Sequence, residues 1–248
     1  MFNVARSLAL VCSLLPAVVT ASEPVTAPGY QYSMFDGTTL RGWTLENDCQ
    51  VTVHDGELRF DSGTGWLRSD HRYGNFRLHV EWKSEKGPSH AAICFRTLPA
   101  SGPKPQGGYR IDLAGGKVHG FAQPAGQWNT LDLSAVDDKI ELNVNGRPAD
   151  SLEGLESTPG YLGLYAKLTE GETISFRNLQ IAELGHRSLF NGRDLAGWEG
   201  AGRPAFTCWE VRDGAIVCTS RGGPWLRSKR QFDDFNLRLE YLVAPGAN

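Results

Sequence analysis

One alternating phrase occurs twice in this chain. Residues 65 to 82 read GWLRSDHRYGNFRLHVEW, and residues 224 to 241 read PWLRSKRQFDDFNLRLEY. In the first, Phe76, Leu78, Val80 and Trp82 alternate with Arg77, His79 and Glu81. That two-residue period belongs to a strand with one buried face. No segment shows a convincing helical period, and many short strands with regular turn signals predict an all-β sandwich or jelly roll. Asp55-Gly56 and Asn145-Gly146 sit between such strands, and both pairs suit the positive φ angles of tight hairpins. Ile140, Leu142 and Val144 lead into the second turn, and Ile174 and Phe176 start a closing strand.

The repeat extends beyond the phrase. Phe35-Asp36-Gly37, Leu40, Gly42 and Trp43 return in order as Phe190-Asn191-Gly192, Leu195, Gly197 and Trp198. Val53-His54-Asp55-Gly56 returns as Val211-Arg212-Asp213-Gly214. Kept order and spacing predict a duplicated domain, the first copy over residues 30–185 and the second over 186–248. About sixty residues are too few to close two sheets over a core, so the second copy is expected to be the N-terminal part of a domain.

The N-terminus has Arg6, an apolar run from Leu8 to Val19, and the small-residue end Val19-Thr20-Ala21. This predicts a signal peptide over residues 1–21 and a secreted or periplasmic protein with no membrane span. Export would leave Cys49, Cys94, Cys208 and Cys218 where disulfides persist. Cys208 and Cys218 flank the Asp213-Gly214 hairpin, so a bridge between them is conceivable, while Cys49 and Cys94 read equally well as buried thiols. A net charge of −3 gives no broad basic field, and nucleic acid is not an expected partner.

Strand parity nominates a site. Arg77, His79 and Glu81 face away from the core, as do Arg110 and Asp112 between Tyr109, Ile111 and Leu113, and Arg96 beside Ile93 and Phe95. If these strands are neighbours in one sheet, a single concave face carries His79, Glu81, Arg96, Arg110 and Asp112, a mixed-charge surface of sugar size. Charged residues on a solvent face are also the ordinary state of a half-buried strand, and pairs such as Glu81 with Arg96 would satisfy each other. His90 follows Gly87-Pro88-Ser89 in a loop where it could act as acid or base, though a lone loop histidine is more often simply solvated. Tyr165 and Trp128 are candidate stacking platforms, whereas Trp43, Trp66 and Trp82 fall at repeat positions that suggest core packing. Arg68 and Arg227, which follow Trp-Leu in both copies, either hold a turn or reach the ligand face, and the turn is the preferred reading.

The set LFNGRDLAGW at 189–198, WEVRDGAIV at 209–217, PWLRS at 224–228 and FNLRLEY at 235–241 resembles the 3-keto-disaccharide hydrolase family, also called domain of unknown function 1080. GYRIDL at 108–113, PAGQWNTL at 124–131, LNVNG at 142–146, GYLGLY at 160–165 and ISFRNLQIAEL at 174–184 extend it over the first copy. The resemblance implies a concanavalin A-like jelly roll from a secreted bacterial protein that acts on small saccharides whose sugar is oxidised at carbon 3. That ketone acidifies the carbon-2 proton, so the expected site holds a base, a partner for the enolate oxygen and an acid at the leaving oxygen. Glu81, His90 and Asp112 are the candidates for proton transfer; His79, Arg96, Arg110 and Tyr165 are the candidates for substrate binding.

The family pattern carries Asn-Ser-Gly where this chain has His90-Ala91-Ala92, Glu-x-Gln where it has Arg110 and Asp112, and Gln where it has Tyr165. An arginine cannot take up a proton at neutral pH, so non-catalytic saccharide binding is the alternative reading. No cofactor is expected, although related jelly rolls bind calcium.

Overall fold

The structure, a computed structural model, describes residues 29–86, 90–99, 102, 104–202, 204–205, 208–219, 223–233 and 235–243. The predicted signal peptide and the Gly87-Pro88-Ser89 loop lie outside the described residues. The chain divides into two compact units between His186 and Arg187.

The first unit is built from antiparallel strands. They run β1 (Tyr30–Ser33), β2 (Trp43–Asn47), β3 (Gln50–His54), β4 (Glu57–Ser62), β5 (Thr64–Tyr73), β6 (Phe76–Ser84) and β7 (His90–Thr97). Then come β8 (Tyr109–Asp112), one short helix α1 (Gly116–Phe121), β9 (Asn129–Val136), β10 (Lys139–Val144), β11 (Arg147–Leu152), β12 (Gly160–Lys167) and β13 (Ile174–Glu183). An eight-stranded sheet has the order β11-β10-β9-β6-β13-β4-β3, with β1 also paired to β13. A five-stranded sheet has the order β2-β5-β12-β7-β8. The result is the expected jelly-roll sandwich.

Alternation decides what each sheet buries. Phe76, Leu78, Val80 and Trp82 of β6 join Leu131 and Leu133 of β9 and Phe176 and Ile181 of β13 in one core. Leu67, Ile93, Phe95, Leu162 and Leu164 enter the same core from the five-stranded sheet. Each such side chain contributes about 1.5–3 kcal/mol when taken fully out of water. The two predicted hairpins form as read, with Asp55 and Gly56 at φ 51 and 76 and Asn145 and Gly146 at φ 50 and 73. Both central residues of such a turn need positive φ, which Asp, Asn and Gly tolerate best.

The second unit holds β14 (Trp198–Gly200), β15 (Trp209–Arg212), β16 (Ala215–Cys218) and β17 (Leu226–Ser228), paired β14 with β17 and β15 with β16. Its local geometry matches the start of the first unit. Trp43 Nε1 donates to Met34 O at 2.7 Å, and Trp198 Nε1 donates to Leu189 O at 2.7 Å. Asp36 accepts from the Thr38 and Thr39 amides as Asn191 does from Arg193 and Asp194. Asp213 and Gly214 repeat the hairpin at φ 50 and 75. Phe235, Leu237, Leu239 and Tyr241, which match the buried row of β6, are exposed and pair with no strand among the described residues.

The conceivable Cys208–Cys218 bridge is not formed. Trp209 stands opposite Cys218 and the Thr219 amide donates to Cys208 O, so the two cysteines are offset by one residue. A one-residue offset sends side chains to opposite faces, and indeed Cys208 is buried while Cys218 is exposed.

Candidate functional site

The topology separates residues that parity had grouped. β6 lies in the eight-stranded sheet, whereas β7 and β8 lie in the five-stranded one. His79 and Glu81 therefore occupy the outer face of one sheet, and Arg110 and Asp112 the outer face of the other. The expectation of one face carrying His79, Glu81, Arg96, Arg110 and Asp112 is corrected accordingly.

Glu81 is held as a structural carboxylate. Arg177 Nε donates to its Oε2 at 2.7 Å and Asn178 Nδ2 to its Oε1 at 2.6 Å. The register of β13 against β6 shifts between Arg177 and Gln180, and Asn178 takes φ 50 there, so this bulge turns two successive side chains toward one carboxylate. Burial pushes the Glu81 carboxyl up, but the hydrogen bonds from Asn178 and Arg177 outweigh it and hold the group below the usual carboxylate range. A carboxylate held weakly basic in this way is a poor proton acceptor. Nearby, His79 Nδ1 meets Asp132 Oδ1 at 2.6 Å, and Trp128 has Arg177 3.9 Å and Lys83 4.9 Å from its ring centroid. Two cations thus crowd that ring.

Arg96 departs from parity for a similar reason. Between the pairs Gly163↔Cys94 and Tyr161↔Thr97, two residues of β7 oppose the single Leu162, and Arg96 adopts φ 53. The bulge takes its side chain off the outer face. It is buried, donating from Nη1 to Glu156 O at 3.0 Å and from Nη2 to Asn75 Oδ1 at 3.5 Å, which ties loops together.

The outer face of the five-stranded sheet is organised in two rows. Glu46, Trp66, Tyr165, Ala92 and Asp112 stand in register across β2, β5, β12, β7 and β8. Thr44, Arg68, Gly163, Cys94 and Arg110 form the adjacent row. Ion pairs close both margins, Arg68 Nε to Glu46 Oε1 at 2.8 Å and Arg110 Nη2 to Asp112 Oδ1 at 2.6 Å. Arg68 thus belongs to the sheet face, not to a turn. Trp66, Tyr165, Ala92 and Cys94 form a second buried cluster on this face, and Trp66 Nε1 is buried without a hydrogen-bond partner.

β7 presents only Ala92 and Cys94 between β12 and β8. With so little side chain on the intervening strand, Tyr165 and Arg110 meet across it, the guanidinium 4.5 Å from the ring centroid. Beside them opens a cavity of about 480 Å³, lined by His90, Cys94, Thr97, Lys104, Tyr109, Arg110, Tyr165 and Lys167 among others. Pockets for small ligands run from about 300 to 1,000 Å³. Of the candidates, His90, Arg110 and Tyr165 line it, and Asp112 stands at its margin bound to Arg110.

The chemistry of these groups is distinct. Burial pushes the Cys94 thiol up to about 12 against a smaller opposing pull from Arg110, which leaves it a neutral part of the floor. Burial alone would lower Arg110, but the hydrogen bond and charge of Asp112 outweigh it and keep the guanidinium charged. His90 is exposed, opposite Lys167 in the register. No group of three or more His, Cys, Asp or Glu residues suited to a metal ion occurs among the described residues.

Parity missed Lys104 and Lys167. Lys167 is two residues from Tyr165 on the same strand, so parity held the signal; Lys104 is carried by a loop, which no periodicity places.

A family model described as a 3-keto-alpha-glucoside-1,2-lyase-like domain matches residues 31–182 and 185–248. A 3-keto-disaccharide hydrolase of Bacteroides thetaiotaomicron is 35% identical over 77 residues, and the match spans 26% of this chain and 26% of that protein. The solved structure of a provisionally assigned glycosyl hydrolase from Parabacteroides distasonis superposes with TM-score 0.52 at 17% identity, over 66% of this chain and 98% of that one. A second from the same organism gives 0.50 at 16% identity, over 62% of this chain and 100% of that one. These two likenesses concern the fold. Among the described residues no helix is long and apolar enough to cross a membrane.

Proposed function

Since this chain belongs to the 3-keto-alpha-glucoside-1,2-lyase-like domain family, we propose that the cavity over Tyr165 in its first unit binds and cleaves a 3-keto-glycoside. The observation that carries this reading is that a histidine and a charged arginine line the same sugar-sized cavity. The His90 imidazole takes the proton from carbon 2, and the electron pair moves onto the carbon-3 oxygen, where Arg110 stabilises the enolate. The enolate then collapses, the bond from carbon 1 to its substituent breaks, and the proton held on His90 goes to the departing oxygen. Water adds at carbon 1 of the resulting enone, so the net reaction is hydrolysis.

Glu81 has no part in this scheme, and Asp112 serves as the partner that orients Arg110. The reading further takes the chain as an exported protein, on the apolar run from Leu8 to Val19, with the segment 185–248 as part of a second copy of the domain.

Binding without cleavage is the second reading. It is favoured by the lock on Asp112, whose Oδ1 accepts from both Nη2 and Nε of Arg110 at 2.6 and 2.7 Å. That leaves no free carboxylate in the cavity lining. Incubating the full chain and its His90→Ala variant with a 3-keto-disaccharide separates the two. Loss of cleavage with retained binding in the variant supports catalysis; binding without cleavage in both supports the second reading.

A further inference from the structure

We infer that this cavity selects an acidic saccharide, one bearing a carboxylate or sulfate, in preference to a neutral one. The inference rests on the cavity being the saccharide site and adds a substrate class to it. The lining contains Lys104, Arg110 and Lys167, together with His90, and no carboxylate. Asp112 offsets Arg110. Neither Lys104 nor Lys167 has a carboxylate within ion-pair distance among the described residues. Two lysines therefore line the cavity with no ion-pair partner among the described residues, and besides Asp112 the carboxylate whose charge reaches the lining is that of Glu172, which acts on His90.

This is not a consequence of composition, because the chain carries a net charge of −3. Nor does the proposed reaction require it. An enolate oxygen needs one or two donors, which Arg110 supplies, and a neutral sugar offers the lysines no charge in the ground state. The other charged face of the first unit shows the contrast: there Lys83 lies 3.1 Å from Glu85 and 3.8 Å from Glu57, and Arg177 is paired with Glu81. Cations left unpaired around a concave site with an aromatic floor raise the local concentration of anions and bind them by charge-assisted hydrogen bonds. Half-buried Tyr109 supplies the apolar surface that favours a sugar over a free ion, while Tyr165 lies buried beneath Arg110.

The test is titration calorimetry on the full chain with three matched 3-keto-disaccharides: one with a glucuronate unit, one with a sulfate ester, and the neutral glucose analogue. Inorganic sulfate alone is the fourth arm. At low salt the glucuronate or the sulfated sugar should bind at least about tenfold more tightly than the neutral one, a difference of about 1.4 kcal/mol. Which of the two leads identifies the acidic group. Added salt should erode the preference, and the Lys104→Ala/Lys167→Ala double variant should bring the ratio of dissociation constants close to one. Equal affinity for acidic and neutral sugars would overturn the acidic preference while leaving the saccharide site intact. Sulfate alone binding as tightly as the sugars would make this an ion site and overturn the inference. Binding of none of the sugars would overturn both the preference and the proposed function.

Discussion

Arg110 and Tyr165 sit on strands that are not neighbours, yet the guanidinium lies 4.5 Å from the ring centroid. Only Ala92 and Cys94 project from the strand between them. A larger side chain there should separate the pair and fill the cavity floor. Cys94→Leu is expected to lower saccharide affinity at least about tenfold, which calorimetry would read. Its melting temperature should fall by only a few degrees, because the cavity gives the extra carbons space.

Gly163 makes the opposite prediction. A Cβ at this position would stand 2.3 Å from Trp66 Cε3, and the ring is fully buried. Gly163→Ala should cost about 1–3 kcal/mol in urea denaturation, since neither the ring nor the paired backbone can retreat.

Glu81 should prove structural. Glu81→Ala removes the acceptor for Arg177 and Asn178 and is expected to destabilise the first unit by about 1–2 kcal/mol without changing saccharide affinity. A loss of binding out of proportion to the loss of stability would return this face to consideration.

The same carboxylate sets a pH dependence. Its folded-state value is held below the ordinary 4.5, so the charged form is favoured by folding. That contribution is fully present above about pH 4.5 and is lost as pH falls through the lower folded value. The stability difference between the parent and Glu81→Ala should therefore be flat from pH 6 to 5 and shrink below 4.5. A difference that grew on acidification would reverse the sign and contradict the ion pair.

Much of this architecture was legible from alternation. The buried row of β6 and the three Asp-Gly or Asn-Gly hairpins need only local periodicity and turn chemistry. The repeated hydrogen bonds of Trp43 and Trp198 follow from the same kind of short-range pattern. What alternation does not encode is which sheet a strand joins. Consecutive strands usually neighbour one another, but β6 and β7 belong to different sheets, and this puts His79 and Glu81 on the other sheet from the proposed cavity. Arg96 was misplaced because a bulge breaks the period on which its direction was read. Trp66 is packed in a core as its repeat position suggests, in the second buried cluster, on the side where its parity with Arg68 puts it.

Catalysis should depend on His90 alone among the histidines. His90→Ala is expected to reduce turnover of a 3-keto-disaccharide at least about a hundredfold with little change in affinity, the size usual for loss of a general base. His79→Ala should leave turnover unchanged, as its ring pairs with Asp132 on the other sheet.

Crystallography of the full chain with a bound 3-keto-disaccharide tests the placement of the site most directly. Density for the sugar over Tyr165, with its carbon-3 oxygen toward Arg110 and carbon 2 toward His90, is the expected result. Density on the opposite sheet, beside Glu81 and Trp128, would contradict it.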